Sequence, residues 1–422
     1  MFGLYIHWPF CLSKCIYCDF GSKVLSKEQA DDDAFQRKYC DCCKRQMQYF
    51  SKKMQRNEYQ KELSSVYFGG GTPSLLRPEN VSDLLTEANN LFNLSKDCEV
   101  TLEANPTSFE LEKFYSFYEA GVNRLSLGVQ SFDNNELLWL GRKHSAEQAI
   151  ATIEKIKKIF PYWSFDLIYG LPNQSIDKWL NELKQALFLE PKHLSLYTLI
   201  VDDDTPLGKM VKMGNIVPKT EDEMADFYDA ANDFIKNVNF AINKEQNGSY
   251  NCENKVCDCK NKAKSFHFEH LEQYEVSNYA VLGFECKHNC CYWSSDDYVG
   301  VGAMAHGRLG YFDEKRYETL CINDVKSWFS NIEKGENGLC IERALTKKEQ
   351  VEEIFLMGLR TRHGVDINDA FKKFGFDVIK FLNKNEIDVF KKNGLLLFDN
   401  SVLKLTNKGL KMLDAILEKI LL

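Results

Sequence analysis

The sequence predicts an α/β fold: a partial (β/α)6 TIM-like barrel followed by a C-terminal winged-helix-like α+β module. Three observations carry this. Short runs rich in β-branched and aromatic residues recur six times and alternate with helix-like stretches. The runs are nearly continuous in apolar residues, as parallel strands covered on both faces are. From about Ile341 the texture of the chain changes.

The elements follow in order. "LYIHW" (Leu4–Trp8) is the first strand. "SSVYF" (Ser64–Phe68) precedes a helix expected over 78–92, and "EVTLE" (Glu99–Glu103) one over 109–119. "RLSLGV" (Arg124–Val129) precedes a helix over 146–160, and "SFDLIY" (Ser164–Tyr169) one over 176–189. "HLSLY" (His193–Tyr197) closes the series. After the first, the strands recur roughly every 25–40 residues, the length of a βα unit. Six units are too few for a closed eight-stranded barrel. Two polar segments interrupt the pattern and read as insertions: 27–61, helical in part, and 241–270, a loop. The chain then divides into a core barrel over 1–240, the polar insertion over 241–270, a barrel-completing segment over 271–340 and the module over 341–422.

In that module "LTKKEQVEEIFLMGLRTRHGVDI" opens on Thr346, an N-cap residue, and continues as an amphipathic helix. "NEIDVFKKNGLLLFDNSVLKLTNKGLKMLDAILEKIL" reads as helix, a two-strand wing turning at Asp399–Asn400, and helix. Its mixed charge favours packing over DNA binding.

The 422 residues are 44% hydrophobic and 13% aromatic, enough for a sizeable core. A net charge of -8 and a pI near 5.7 argue against a nucleic-acid binder. No apolar stretch approaches the ~18 residues of a membrane span, and "LYIHW" follows Met1 too closely for a signal peptide. A cytoplasmic protein is expected, and a removed organelle presequence stays open. Fifteen cysteines in such a chain read as reduced thiols and metal ligands.

Three of them stand in "HWPFCLSKCIYCDF", at C-x3-C-x2-C spacing: Cys11, Cys15 and Cys18. Three thiolates can hold three irons of a [4Fe–4S] cluster and leave the fourth iron open. The alternative is a zinc site completed by His7 or a distant cysteine. Zinc knuckles usually pair two C-x2-C units, and no second unit lies nearby. Tyr17 adds a ring that can shield the cluster. "YFGGGTPS" sets Gly69, Gly70, Gly71 and Thr72 directly after a strand, without the lysine of a phosphate loop. Alone it is a tight βα turn. Glu103 and Gln130 fall at strand ends, "LGRKH" offers Arg142, and "FDLIYGLP" offers Asp166. Singly, each is an ordinary polar residue.

Together these stations resemble the radical S-adenosylmethionine (SAM) superfamily. Their order and spacing are similar to the subgroup of oxygen-independent coproporphyrinogen III oxidases and related heme chaperones. The resemblance spans roughly 4–199, 274–307 and the C-terminal module. It implies a radical-SAM-type barrel in which SAM chelates the open iron. The glycine motif, here Gly70, Gly71 and Thr72, would meet the SAM amino group through its backbone. Glu103 and Asp166 would offer a carboxylate for a ribose hydroxyl, Gln130 an amide, and Arg142 a guanidinium for the SAM carboxylate. Tyr5 and Tyr17 would line the site.

The oxidases carry a further cysteine two residues after the third. Here that residue is Phe20, as in the chaperone branch. In "ECKHNCCYW", His288, Asn289, Tyr292 and Trp293 match the H-N-x-x-Y-W pattern of that branch, which implies His288 as a heme ligand. Cys286 is a second possible ligand. The plain reading is a loop histidine bonded to backbone, with Tyr292 and Trp293 in the core. A heme chaperone binding a [4Fe–4S] cluster, SAM and heme is thus expected. Its partners would be a heme-acceptor protein and an electron donor, with transient membrane association for heme delivery. The alternatives are the oxidase of porphyrin biosynthesis, and a cluster protein with another radical substrate and a structural His288. Cys252, Cys257, Cys259, His267 and His270 offer an added metal site but fit no standard zinc spacing, and with Cys40, Cys42 and Cys43 the favoured reading is reduced loop thiols and polar side chains.

Overall fold

The computed structural model of the chain describes residues 1–55, 62–107, 112–246, 269–310 and 315–422. Cys252, Cys257, Cys259 and His267 lie outside them, as does the start of the helix expected from Phe109.

All six expected strands form. They are β1 (Phe2–Trp8), β2 (Leu63–Gly70), β3 (Leu94–Ala104), β4 (Arg124–Gln130), β5 (Tyr162–Tyr169) and β6 (His193–Thr198). Each pairs in parallel with the next. The intervening helices are α1 (Asp33–Gln55), α2 (Pro78–Phe92), α3 (Phe114–Glu119), α4 (Asn134–Leu140), α5 (Ala146–Ile156) and α6 (Ile176–Phe188). Local sequence sets their starts. Pro78 occupies the first turn of α2, where its missing N–H costs nothing. Ser145 and Gln148 form a reciprocal capping box on α5, and Ser175 caps α6.

The sheet is wider than expected. Beyond α7 (Pro206–Lys212) and α8 (Glu221–Gln246) come β7 (Glu272–Gln273), β8 (Asn278–Ala280), α9 (Lys287–Trp293), β9 (Asp297–Val301), β10 (His306–Gly310), β11 (Arg316–Cys321), α10 (Val325–Glu333) and β12 (Leu339–Ala344). Among the described residues one sheet runs β12-β11-β10-β9-β1-β2-β3-β4-β5-β6-β8-β7. β9 pairs in parallel with β1, a seventh parallel strand brought back from late in the chain. The flanking strands pair antiparallel. Residues 341–344, expected in the module, belong to the edge of this sheet.

The segment 27–61 does not interrupt the barrel. It supplies α1, the helix that covers β1. Tyr39, Cys40, Cys43, Met47, Phe50 and Met54 are buried at helical spacing in the main core. Cys40, Cys42 and Cys43 are therefore core residues, not loop thiols. The many lysines and arginines on the other face disguise this stripe.

Pleat alternation divides the sheet into two surfaces. On β1, Phe2, Leu4, Ile6 and Trp8 enter the apolar core under α1 and α2. Gly3, Tyr5 and His7 face the barrel interior, where the tyrosine ring stacks on Tyr67 of β2. The interior is polar at its lower end. Glu99 of β3 and Arg124 of β4 form an ion pair 3.2 Å long, with side chains 6% and 2% exposed. Arg124 also donates to the carbonyl of Phe284, and Glu99 accepts from the backbone N–H of His288 and from the Cys286 thiol. The pair thus pins the start of α9 across the N-terminal end of the barrel.

The C-terminal module has the expected winged-helix order. Thr346 caps α11 (Lys347–Gly358) with Glu349 in a capping box. A short strand β13 (Val365–Asp366), then α12 (Ile367–Phe374) and α13 (Lys384–Lys392), lead into the wing β14 (Leu396–Asp399) and β15 (Val402–Leu405). The wing turns through Asn400 and Ser401, both at positive φ. The module has its own apolar core, centred on Phe355, Val378, Leu403 and Ile416. It meets the barrel where Tyr274 O accepts from Arg362 N–H and Arg360 O accepts from Val276 N–H. Arg360 also lies 3.6 Å from the buried Glu275 carboxylate.

Removing one member of the Glu99–Arg124 pair strands a buried charge. Arg124→Met should cost about 3–5 kcal/mol in urea unfolding, and Glu99→Leu/Arg124→Met should recover most of it. Equal stability of wild type and the single variant would remove the pair from its anchoring role.

Candidate SAM and iron–sulfur site

The cysteine loop leaves β1 and is tied at its base by a two-residue parallel ladder, Phe10–Cys11 with Lys23–Val24. Within it the Cys18 N–H donates to the Cys15 carbonyl at 3.3 Å. Gly141, left-handed at the end of α4, lets that helix end approach Cys15, where a Cβ would stand 3.7 Å from the Cys15 Cα. Leu207 N–H of α7 donates to Ile16 O. Ile16 and Tyr17 pack on an apolar patch of Leu140, Ile168, Leu171, Leu199 and Leu207. The loop is therefore clasped between β1 and the segment after β6.

A chain of hydrogen bonds links two of the cysteines. Thr72 Oγ1 donates to Cys11 Sγ at 3.4 Å, and Asn105 Nδ2 donates to Thr72 Oγ1 at 3.2 Å. Arg142 donates to Asn105 Oδ1 at 2.5 Å and to Gly128 O at 2.6 Å, and its other amino group lies 3.5 Å from Cys15 Sγ. Arg142 also bonds the Tyr17 hydroxyl. Burial pushes the Cys11 and Cys18 thiols up, so holding them as thiolates calls for cationic partners.

Below the loop, Glu103 is held inside the barrel. Its carboxylate accepts from the Tyr67 hydroxyl at 2.8 Å and from Gly70 N–H at 3.1 Å. Burial, helped by the Asp166 charge, raises its pKa to about 7 against these two bonds. Burial likewise raises Asp166 to about 6, opposed by its bond to Ser195 and by Arg142. The glycine run is demanded by packing. A Cβ on Gly71 would stand 2.6 Å from Phe10 O, and one on Gly70 2.6 Å from the His7 ring. Gly70 also has φ 112, which only glycine adopts freely. Gln130 ends β4 at φ 73.

The geometry thus assembles Cys11, Cys15, Cys18, Tyr17, Thr72 and Arg142 in one layer, with Tyr5, Gly70, Gly71, Glu103 and Asp166 near it. His288 stands apart. It is buried on α9 at the opposite end of the barrel, 1% exposed. Its Nδ1 is 2.9 Å from Ser65 Oγ and its Nε2 2.7 Å from the Tyr292 hydroxyl. Both ring nitrogens are engaged, so the lone pair expected for heme iron is not presented here. Cys286 is also buried, bonded to Glu99. The plain reading had expected backbone partners for His288; the partners are side chains.

A family model described as the radical SAM superfamily matches residues 5–186. A Bos taurus protein named "Radical S-adenosyl methionine domain-containing protein 1, mitochondrial" is 33% identical over 429 residues, 99% of this chain and 87% of that relative. The chain belongs to the radical SAM superfamily. Within it the chain is HemN/HemW-like. The HemN C-terminal domain model matches 345–411. The protein named heme chaperone HemW from Lactococcus lactis is 33% identical over 99% of this chain and 97% of its own. The structure of coproporphyrinogen III oxidase (HemN) from Escherichia coli covers 99% of this chain and 89% of its own at TM-score 0.71. At 19% identity that likeness shows the fold.

A radical SAM site implies a [4Fe–4S] cluster and SAM, and the residues fit both. Among the described residues no three His, Cys, Asp or Glu side chains surround a single-ion position. Buried polar atoms without a partner at this end include Gln130 Oε1 and His7 Nε2, both able to meet a polar ligand. Sequence reasoning gave His7 only a zinc role and missed Asn105 and Tyr67. Asn105 follows Glu103 by two residues in "TLEANP", and that spacing was the available signal.

Because Gly71 sits against the backbone of Phe10, Gly71→Ala must push the cysteine ladder away. We expect a loss of about 1–3 kcal/mol in urea unfolding, the usual cost of overpacking. A neutral result would show that the loop can shift to accept the methyl group.

Proposed function

We propose that the chain is a radical-SAM-type heme chaperone that binds a [4Fe–4S] cluster, SAM and heme and passes heme to an acceptor protein. The observation that carries this is Phe20, in the place where the oxidase branch has its additional cysteine. Relatives named heme chaperone HemW, among them those from Lactococcus lactis and Bacillus subtilis, support it. So do exposed apolar side chains on the cysteine loop and on the segments flanking α7, which pack on Ile16 and Tyr17 of that loop: Phe20, Ile200, Met213 and Val217 are 65%, 69%, 72% and 79% exposed. Such side chains suit a flat apolar macrocycle.

In this reading Cys11, Cys15 and Cys18 hold the cluster, which with SAM supplies one-electron reductive chemistry when bound. Arg142 takes the SAM carboxylate. The backbone at Gly70–Thr72 meets its amino group. Glu103 and Asp166 face the ribose, Gln130 offers its amide, and Tyr5 and Tyr17 wall the site. An electron donor, a heme acceptor and transient contact with a membrane complete the set of partners. No described helix is long and apolar enough to cross a membrane. We assign the chain to the cytoplasm; the word "mitochondrial" in the Bos taurus relative's name marks the competing compartment, which cell fractionation distinguishes.

The function is tested by anaerobic heme titration of the reconstituted protein, read as Soret absorbance. Saturable one-to-one binding with no turnover of coproporphyrinogen is expected. Turnover without heme binding would establish the oxidase instead. The cluster is tested separately: replacing all three loop cysteines by Ala should abolish the iron–sulfur absorbance and leave the fold intact. Full iron and sulfide in that variant would refute the ligand set.

Glu103 gives a pH signature. A ribose hydroxyl bonds more strongly to an ionised carboxylate than to a carboxyl group, and Glu103, facing Tyr5, Tyr67 and Asp166, gains its proton as pH falls through about 7. SAM affinity should therefore weaken below that pH, and Glu103→Gln should flatten the profile. A profile that Glu103→Gln leaves unchanged would assign the titration to another group.

A further inference from the structure

The H-N-x-x-Y-W helix lies under the SAM site, and its histidine touches that site through two separate routes. The ring of His288 is nearly parallel to that of Tyr67, with centroids 5.0 Å apart and planes 23° apart. It is nearly parallel to Tyr5 as well, at 6.1 Å and 24°. Gly3 leaves room beneath it, since a Cβ there would stand 3.2 Å from Nδ1. Each tyrosine then reaches upward. The Tyr67 hydroxyl donates to Glu103, which accepts from Gly70 N–H. The Tyr5 hydroxyl lies 2.9 Å from His7 Nδ1, and the His7 ring fills the space directly against Gly70. Two columns rise from one imidazole and converge on the central glycine of the G-G-G run.

We propose that His288 is a positioning residue for SAM: through Tyr67 and Tyr5 it sets Glu103, His7 and the glycine loop, and it does not ligate heme. The proposal rests on the SAM reading of Glu103 and Gly70 given above. Several observations support it. The helix is fixed at its start by the Glu99–Arg124 pair. Trp293, the last residue of the motif, packs edge-on against Tyr274, whose hydroxyl is 2.6 Å from His193 Nε2 and accepts from Cys286 N–H. Tyr292 holds Nε2 and Ser65 holds Nδ1, one partner for each ring nitrogen, as a neutral imidazole requires. Burial lowers the ring's pKa to about 3, so it stays neutral in its stack. Reaching iron would mean leaving both bonds and both rings.

The test uses the reconstituted full chain and reads SAM and heme separately. SAM affinity comes from the change it induces in the EPR signal of the reduced cluster, and heme affinity from the Soret band. His288→Ala removes the stacked ring and should weaken SAM binding about tenfold, within the usual range of coupling between linked sites, with heme binding unchanged. His288→Phe restores a ring that can stack but cannot ligate iron, and should recover most of the SAM affinity. Tyr67→Phe leaves the stack in place and removes only the hydroxyl to Glu103. It should weaken SAM binding without altering heme binding, and it keeps the test open if the alanine variant fails to fold. Loss of heme binding in His288→Phe with SAM binding kept would overturn the proposal. So would SAM affinity at the wild-type level in both His288→Ala and Tyr67→Phe. Wild-type protein that binds no SAM would instead defeat the reading on which the proposal rests.

Discussion

Alternation along the parallel strands, interrupted by register shifts near Leu63 of β2 and before Gln130 of β4, is the constraint on which the rest of this molecule depends. Every second residue of β1 must serve the apolar core under the helices, and the residues between must serve the barrel interior. Leu4 and Ile6 do the first task, Tyr5 and His7 the second. A shift of one residue in register would exchange the two sets. The interior can therefore carry carboxylates, imidazoles and hydroxyls at depth only because each is met by a neighbouring strand at a fixed height. Glu99 meets Arg124 from the adjacent strand, and Glu103 meets Tyr67 and Gly70.

The interior is graded along its axis. Its lower end is neutralised by a full ion pair. Its upper end holds two carboxylates, Glu103 and Asp166, whose pKa values burial raises, that of Glu103 with help from the Asp166 charge. Arg142 lies near the second but is already shared among Asn105, Gly128 and Cys15. A polar ligand entering there meets groups whose desolvation is already complete, which is the condition for electrostatic selectivity.

Much of this was legible in the sequence because the signals are local. Six strands of β-rich residues, a cysteine triplet after the first, glycines after the second and polar residues near later strand ends can all be read without knowing which strands touch. The Thr346 N-cap is local too, and so is the wing turn, which runs through Asn400 and Ser401, one residue later than the expected Asp399–Asn400. What was not legible depends on distance along the chain. The stripe of α1 was hidden because its buried cysteines and aromatics alternate with charge. β9 is five residues long, and only its pairing with β1, nearly three hundred positions earlier, makes it part of the parallel set. The surroundings of His288 were not legible either, because motif matching sees a residue and its neighbours in sequence. Ser65, Tyr67 and Tyr5, which surround the ring, come from elsewhere.

The junction of the C-terminal module with the barrel is spread over several contacts. Tyr274 binds the module through its carbonyl and the barrel interior through its hydroxyl. Its neighbour Glu275 faces Arg360 of the module, and Val276 closes the backbone link. Lys373, Glu353 and Lys411 of the module pair with Asp296, Arg308 and Asp229 of the barrel. Torque applied to the wing by a docked protein would be shared among these contacts, and the Tyr274 hydroxyl, which accepts from Cys286 N–H, would carry part of it to the start of α9. The far end of the molecule thus has a short mechanical path to the base of the barrel.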